Sequence, residues 1–317
     1  MPKDCVSAIF STLIYKHYFE MKQVTNIGKS IKMKLWNLAA DLKRDKNDNQ
    51  MYHLMLIRYI QERLLYRLGI SQYRDNFYLK GGALLYSYDR FEARPTLDID
   101  FLGNNTSREI DNLTKIMKAI AALECESDAI TFLPDSLMAE EITVNKEYHG
   151  VRISIEAKLD TAVQKVSMDI GFGDVITPYP QELNYPVLIA GLPQPMIHAY
   201  SLETVIAEKF EAMITLAEDN SRMKDFFDVY RLLTYHEIDP ETLKEAIAAT
   251  FENRQTVVTR DHTLFSAEFA IDARRQTEWK AFLKRIKWKE DLPFNVVMNV
   301  VRDHLMPYYE SLIVPGL

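Results

Sequence analysis

Apolar residues recur at mixed three- and four-residue spacings over residues 30–42 and 51–68, which predicts two helices. Gly69 stands where a glycine would end the second of them. The period then changes. Phe77-Tyr78-Leu79 reads as a short apolar strand that runs into Lys80-Gly81-Gly82 and then a short helix to about Asp89. Residues 96–101 alternate, with Leu97, Ile99 and Phe101 on one face and Thr96, Asp98 and Asp100 on the other. Residues 151–159 and 166–172 alternate in the same way, and Thr161-Ala162-Val163-Gln164 is expected to turn one strand into the next. A helix is predicted over 107–123, and the chain beyond residue 197 reads as mostly helical.

Five of the 12 prolines fall between residues 178 and 195, and no glycine occurs between Gly191 and Gly316. That shift marks a mixed segment giving way to a helical one. We therefore expect two domains: residues 1–195, with N-terminal helices and an α+β core, and residues 196–317, a helical lobe that completes the site. With 47% hydrophobic and 26% charged residues the chain can bury a real core, and disorder is excluded.

Cys5 and Cys125 form neither a disulfide framework nor a zinc spacing, as expected in a reducing compartment. The formal charge of −7 argues against a general nucleic-acid coat but leaves room for a local basic groove. Val6 to Tyr15 is apolar enough to hint at a signal segment. It follows Asp4, precedes Lys16-His17 and lacks a small-residue cleavage site. No apolar run approaches the roughly 18–20 residues of a membrane span. The expectation is a cytoplasmic, soluble protein.

Period two puts the carboxylates of Asp98 and Asp100 on one face of one strand, with Cβ atoms about 7 Å apart. Two such charges repel unless a cation lies between them or one is protonated. A hard divalent ion such as Mg²⁺ resolves the conflict, while a solvated strand face is the plainer alternative. Asp169 occupies the polar face of another alternating strand, so three carboxylates could serve one or two metals in phosphoryl chemistry. Asp174, after Gly173, reads as a turn residue. Gly81-Gly82 lies between a strand and a helix, where backbone N–H groups can grip a phosphate, although a glycine pair is also an ordinary turn. The lysine precedes these glycines, which excludes a Walker loop.

Ser201 is a good N-cap for a helix whose apolar stripe contains Val205, Ile206 and Phe210. Lys209 falls inside that stripe. An ammonium there needs an anion, either a bound triphosphate or an internal carboxylate. Asp225 and Asp228 are three apart and share a helix face, as dipole-favouring acids or as a pair that orients Lys209 or substrate. The seven histidines have no ligand spacing. Arg274, Arg275, Lys280, Lys284, Arg285, Lys287 and Lys289 are interleaved with Trp279, Phe282 and Trp288. On a helix 280, 284 and 287 would form one basic stripe, suited to a nucleic-acid backbone or simply to solvent.

The run Tyr78-Leu79-Lys80-Gly81-Gly82-Ala83-Leu84-Leu85 is followed by Arg94-Pro95-Thr96-Leu97-Asp98-Ile99-Asp100-Phe101. Together they resemble the first motif of the AbiEii/AbiGii-type nucleotidyltransferase toxins: a glycine pair or Gly-Ser, a spacer helix, then Asp-x-Asp. Asp169, Lys209 and the Asp225–Asp228 helix start resemble that family's later motifs, and the resemblance covers roughly residues 76–235. It implies a DNA polymerase β-like core with a mixed sheet and a helical C-terminal lobe. It also implies Mg²⁺ or Mn²⁺, a nucleoside triphosphate substrate, an RNA acceptor such as a tRNA 3′ end, and a cognate antitoxin in an abortive-infection system. We expect Asp98, Asp100 and Asp169 to bind metal, with Asp169 also as base toward the acceptor hydroxyl. Lys80, Gly81, Gly82, Thr96 and Lys209 are expected to hold the triphosphate, and Asp225 and Asp228 to position Lys209 and the base or ribose. One departure is that Gly82-Ala83 lacks the hydroxyl of Gly-Ser. Two other readings stand beside this one: transfer to a small-molecule or protein acceptor, and a non-catalytic binding module.

Overall fold

The computed structural model describes residues 27–42, 50–143 and 149–313; the apolar run at 6–15 and Cys5 lie outside them. The three alternating segments become β2 (Asp98–Gly103), β4 (His149–Leu159) and β5 (Ala162–Gly171). Ile99, Phe101, Ile153, Ile155, Met168 and Ile170 are buried on the inner face. The turn between β4 and β5 is tighter than the sequence suggested. Leu159 pairs with Ala162, so Asp160 and Thr161 alone make it, with Asp160 at a φ of 54°.

A seven-stranded mixed sheet results, in the order β3-β4-β5-β2-β1-β7-β6. β1 (Phe77–Lys80) runs antiparallel to β2, whereas β5 runs parallel to it. β6 (Gln181–Asn184) and β7 (Met196–Ala199) complete one side. β3 (Ile130–Thr143), which the pattern did not predict, is antiparallel to β4 at the other edge. Its register shifts between Leu133 and Met138, around Pro134, and this irregularity breaks the alternation that would have revealed it.

The first predicted helix is α1, residues 27–41. The second, α2 (Gln50–Ile70), is buried nearly all round. Its buried polar residues anchor surrounding backbone: Gln61 donates to Leu97 O at 2.8 Å, Arg63 to Pro193 O at 3.0 Å, and Glu62 accepts from Leu188 N at 2.6 Å. Arg67 pairs with Asp128 at 2.8 Å and also reaches the Leu123 and Ile130 carbonyls. Gly69 does not end this helix. It lies within it, and a Cβ there would meet Met196 O at 2.6 Å, so the glycine permits close approach of β7. α3 (Gly81–Asp89) follows β1 directly, and α4 (Ile110–Ala121) lies against β3.

Contacts divide the chain into two units: residues up to 172 with 182–198, and residues 173–181 with 199 onward. The second unit is helical: α5 (Leu202–Leu216), α6 (Met223–Tyr235), α7 (Pro240–Asn253), α8 (Ala267–Ile271), α9 (Ala273–Arg285) and α10 (Phe294–Ser311). Ser201 caps α5 by accepting from Thr204 N, a contact worth about 1 kcal/mol. Phe210, Phe226, Phe227, Phe251, Trp279 and Phe294 form its aromatic core. Asp174 is more than a turn residue, because it pairs with the half-buried Arg254 at 2.7 Å, which also holds Glu211 at 2.7 Å. Among the described residues no helix is long and apolar enough to cross a membrane.

Candidate active site

In the first unit, strand register gathers the candidate charges into one row. Lys80 is opposite Asp100 across β1 and β2, Asp100 opposite Asp169 across β2 and β5, and Arg152 opposite Asp169 across β4 and β5. Asp98 lies one step along, opposite Ser167. Adjacent strands are about 4.8 Å apart, so Asp100 and Asp169 are like charges side by side, a destabilising arrangement without compensation.

Arg152 supplies compensation for Asp169. Its Nε donates to Oδ1 and its Nη2 to Oδ2, both at 2.7 Å. These bonds raise the guanidinium's proton affinity, with further help from the Asp169, Asp98 and Glu140 charges against the opposing effect of burial. The arginine side chain remains 40% exposed, so the pair is open to solvent and ligands. Arg152 escaped the sequence analysis because its partner depends on the hairpin register. The turn at 160–161 puts Asp169 opposite it, whereas a turn centred two residues later would put residue 173 there.

Gly81 adopts a φ of +67°, and a Cβ on it would be driven into the Asp100 carboxylate. Gly82 is packed on Thr96, whose Cβ would lie 2.9 Å from a Cβ at 82. The glycine pair thus brings the start of α3 against the Asp-x-Asp strand, where helix-start N–H groups favour negative charge. Thr96 Oγ1 donates to Asp98 O at 3.3 Å, and Gln61 fixes Leu97 from the other side. Gln61 was also missed, because a glutamine in a helix carries no sequence signal of the loop it will meet.

In the second unit Lys209 lies on α5 among Val205, Ile206 and Phe210, with its side chain 12% exposed. It pairs with Asp225 at 2.6 Å and Asp228 at 2.8 Å, both on α6 and both buried. Of the two anions considered for this lysine, the internal carboxylates are present. Arg222 Nε donates to the other Asp225 oxygen at 2.6 Å. Burial pushes the Asp225 carboxyl up, but Lys209 and Arg222 outweigh it and hold the group well below the usual carboxylate range.

The basic stretch divides. Arg275 is buried and pairs with Glu218 at 2.5 Å, and Arg274 donates to the Glu218 carbonyl, so both tie the fold together. Lys280, Lys284 and Arg285 are exposed on α9. Lys287 leaves the helix at a φ of 57°, which breaks the expected 280-284-287 stripe. Among the described residues no three His, Cys, Asp or Glu side chains converge as a metal cluster.

A glycine-pair strand-to-helix turn set against an Asp-x-Asp strand is the arrangement of a nucleotidyltransferase core. Residues 63–300 match the family described as nucleotidyl transferase AbiEii toxin of type IV toxin–antitoxin systems, and the chain belongs to that family. No curated protein matches. Two crystal structures from Helicobacter pylori are similar over 82% of this chain and 96% of theirs. One is a provisionally assigned nucleotidyltransferase, at 13% identity and a TM-score of 0.43. The other is JHP933, at 15% and 0.38.

The donor chemistry suits Mg²⁺ or Mn²⁺. Asp98 and Asp100 offer hard oxygens on one face, and such an ion is commonly held by one or two carboxylates together with substrate phosphates and water. Each Asp169 oxygen accepts one hydrogen bond from Arg152 and keeps a further lone pair.

Proposed function

We propose that this nucleotidyltransferase moves a nucleoside monophosphate from a triphosphate to the hydroxyl of an RNA, with a tRNA 3′ end as the leading acceptor. We assign it as the toxin partner of a cognate antitoxin. The observation that carries the reading is the fit of Gly81 against Asp100 in a row shared with Lys80 and Asp169. Asp98 and Asp100 would hold the divalent ion, which when bound draws charge from the triphosphate. Lys80, Gly81 and Gly82 would receive phosphate oxygens, and Thr96 would keep the Asp-x-Asp strand in place.

The acceptor oxygen attacks the α-phosphorus, its proton passes to a carboxylate, and the bond to pyrophosphate breaks. Asp169 is the assigned proton acceptor, and Arg152 fixes its orientation as the third member of a triad fixes a base. In the helical unit Asp225 and Asp228 hold the Lys209 ammonium in place.

The test combines purified protein, Mg²⁺, each of the four labelled triphosphates and total cellular RNA on a denaturing gel. Label in a discrete RNA size class is expected. Absence of label with every triphosphate, from protein that is folded, would overturn the RNA acceptor and turn attention to a small molecule or protein.

A further inference from the structure

The C-terminal end of α6 carries an aromatic and cationic surface that the transfer chemistry above does not use. Arg231 lies over the ring of Tyr235 at 4.8 Å and over that of Trp288 at 5.6 Å. Tyr230 meets Tyr235 edge-on at 6.4 Å, and Trp288 is anchored on Phe227 at 5.1 Å. Tyr235 is 53% exposed, so its ring is open to a ligand.

The surroundings are basic. Between residues 284 and 291 lie Lys284, Arg285, Lys287 and Lys289 against Glu290 and Asp291, in a chain whose net charge is −7. All four cations are exposed. Lys287 takes the left-handed position after α9, where glycine is the cheaper residue, and so places Trp288 directly after the helix end.

Helical spacing connects this surface to the lysine clamp. Lys224, Asp228, Arg231 and Tyr235 follow at intervals of four, three and four residues, so they form one stripe of α6. From the buried Asp228 the stripe emerges at the exposed Tyr235, about 10 Å further along the axis.

We propose that Arg231, Tyr235 and Trp288 form a stacking platform for single-stranded RNA, with the 284–289 cations tracking its backbone. Every base offers a π-face to such rings, and a guanidinium held between aromatics adds a planar cation. This deepens the assignment of an RNA acceptor and rests on it. An isolated surface cation–π pair would leave Tyr235 with no role beyond a small contribution to folding.

The test is fluorescence anisotropy with the full chain, a labelled 12-nucleotide single-stranded RNA, and the duplex of the same sequence, over a salt series and without triphosphate. The single strand is expected to bind more tightly than the duplex. Tyr235→Ala should weaken binding about tenfold without changing the salt slope, and Tyr235→Phe should retain it. Replacing Lys284, Arg285 and Lys289 by Gln should flatten the slope, by about 0.7 per lost phosphate contact. Equal binding by Tyr235→Ala and the parent, or tighter binding of the duplex, would overturn the platform. Because no triphosphate is present, failure of the catalytic reading leaves this result untouched.

Discussion

Lys209 donates to Asp225 across 2.6 Å, from a helix face otherwise made of apolar residues. Removing one partner of a buried pair is worse than never having it, because the remaining charge has lost its compensation. Lys209→Met should therefore destabilise the protein by about 3–5 kcal/mol. Adding Asp225→Asn and Asp228→Asn to that variant should recover part of the loss, as read from urea midpoints.

The same clamp predicts acid sensitivity. The Asp225 carboxyl is held below its unfolded value near 3.8. Its contribution is present above that value and is lost as pH falls toward the depressed folded one. The stability difference between the parent and Asp225→Asn should shrink as pH falls from about 4 toward 2, and a constant difference over that range would refute the assignment.

Glu62 has the opposite sign. Burial pushes its carboxyl up to about 7 from 4.5, against the attraction of Arg63 and the Leu188 N–H bond. Stability from this group is present below 4.5 and is lost as pH rises through 7. At 1.36 kcal/mol per pH unit the loss is on the order of 3 kcal/mol. Glu62→Gln should flatten the decline in thermal midpoint between pH 5 and pH 8.

Gly81→Ala should be severe in a way that Gly82→Ala is not. At 81 the methyl group collides with Asp100 and the backbone is left-handed, whereas at 82 it meets the side chain of Thr96. We expect transfer to fall by orders of magnitude for the first and less for the second. Circular dichroism and activity measured on the same samples separate lost fold from lost site.

Arg152→Gln should cost about 1 kcal/mol, because the pair is part-exposed yet bidentate and offsets the Asp169 charge beside Asp100. Transfer should fall as Asp169 loses its orienting partner. Full transfer by the folded Arg152→Gln protein would remove Arg152 from that role.

The strands that carry the site were readable because one of their faces is continuously apolar, and period two then fixes which residues share the other. Asp98, Asp100 and Asp169 followed from that alone. Their order across the sheet did not, because the parallel pairing of β2 with β5 is set by tertiary packing. The hairpin turn was misplaced because Ala162 and Val163 are small or exposed and extend β5 without a strong inward pattern. β3 was invisible for want of alternation. Lys209 stood out as a cation in an apolar stripe, but nothing in one helix could say whether a ligand or a neighbouring helix would neutralise it.

The most direct measurement compares the parent chain with Asp100→Asn for transfer of α-labelled nucleotide to RNA at saturating Mg²⁺, with thermal midpoints taken alongside. The account predicts a loss of several orders of magnitude at an unchanged midpoint. Full transfer by the folded Asp100→Asn protein would contradict it.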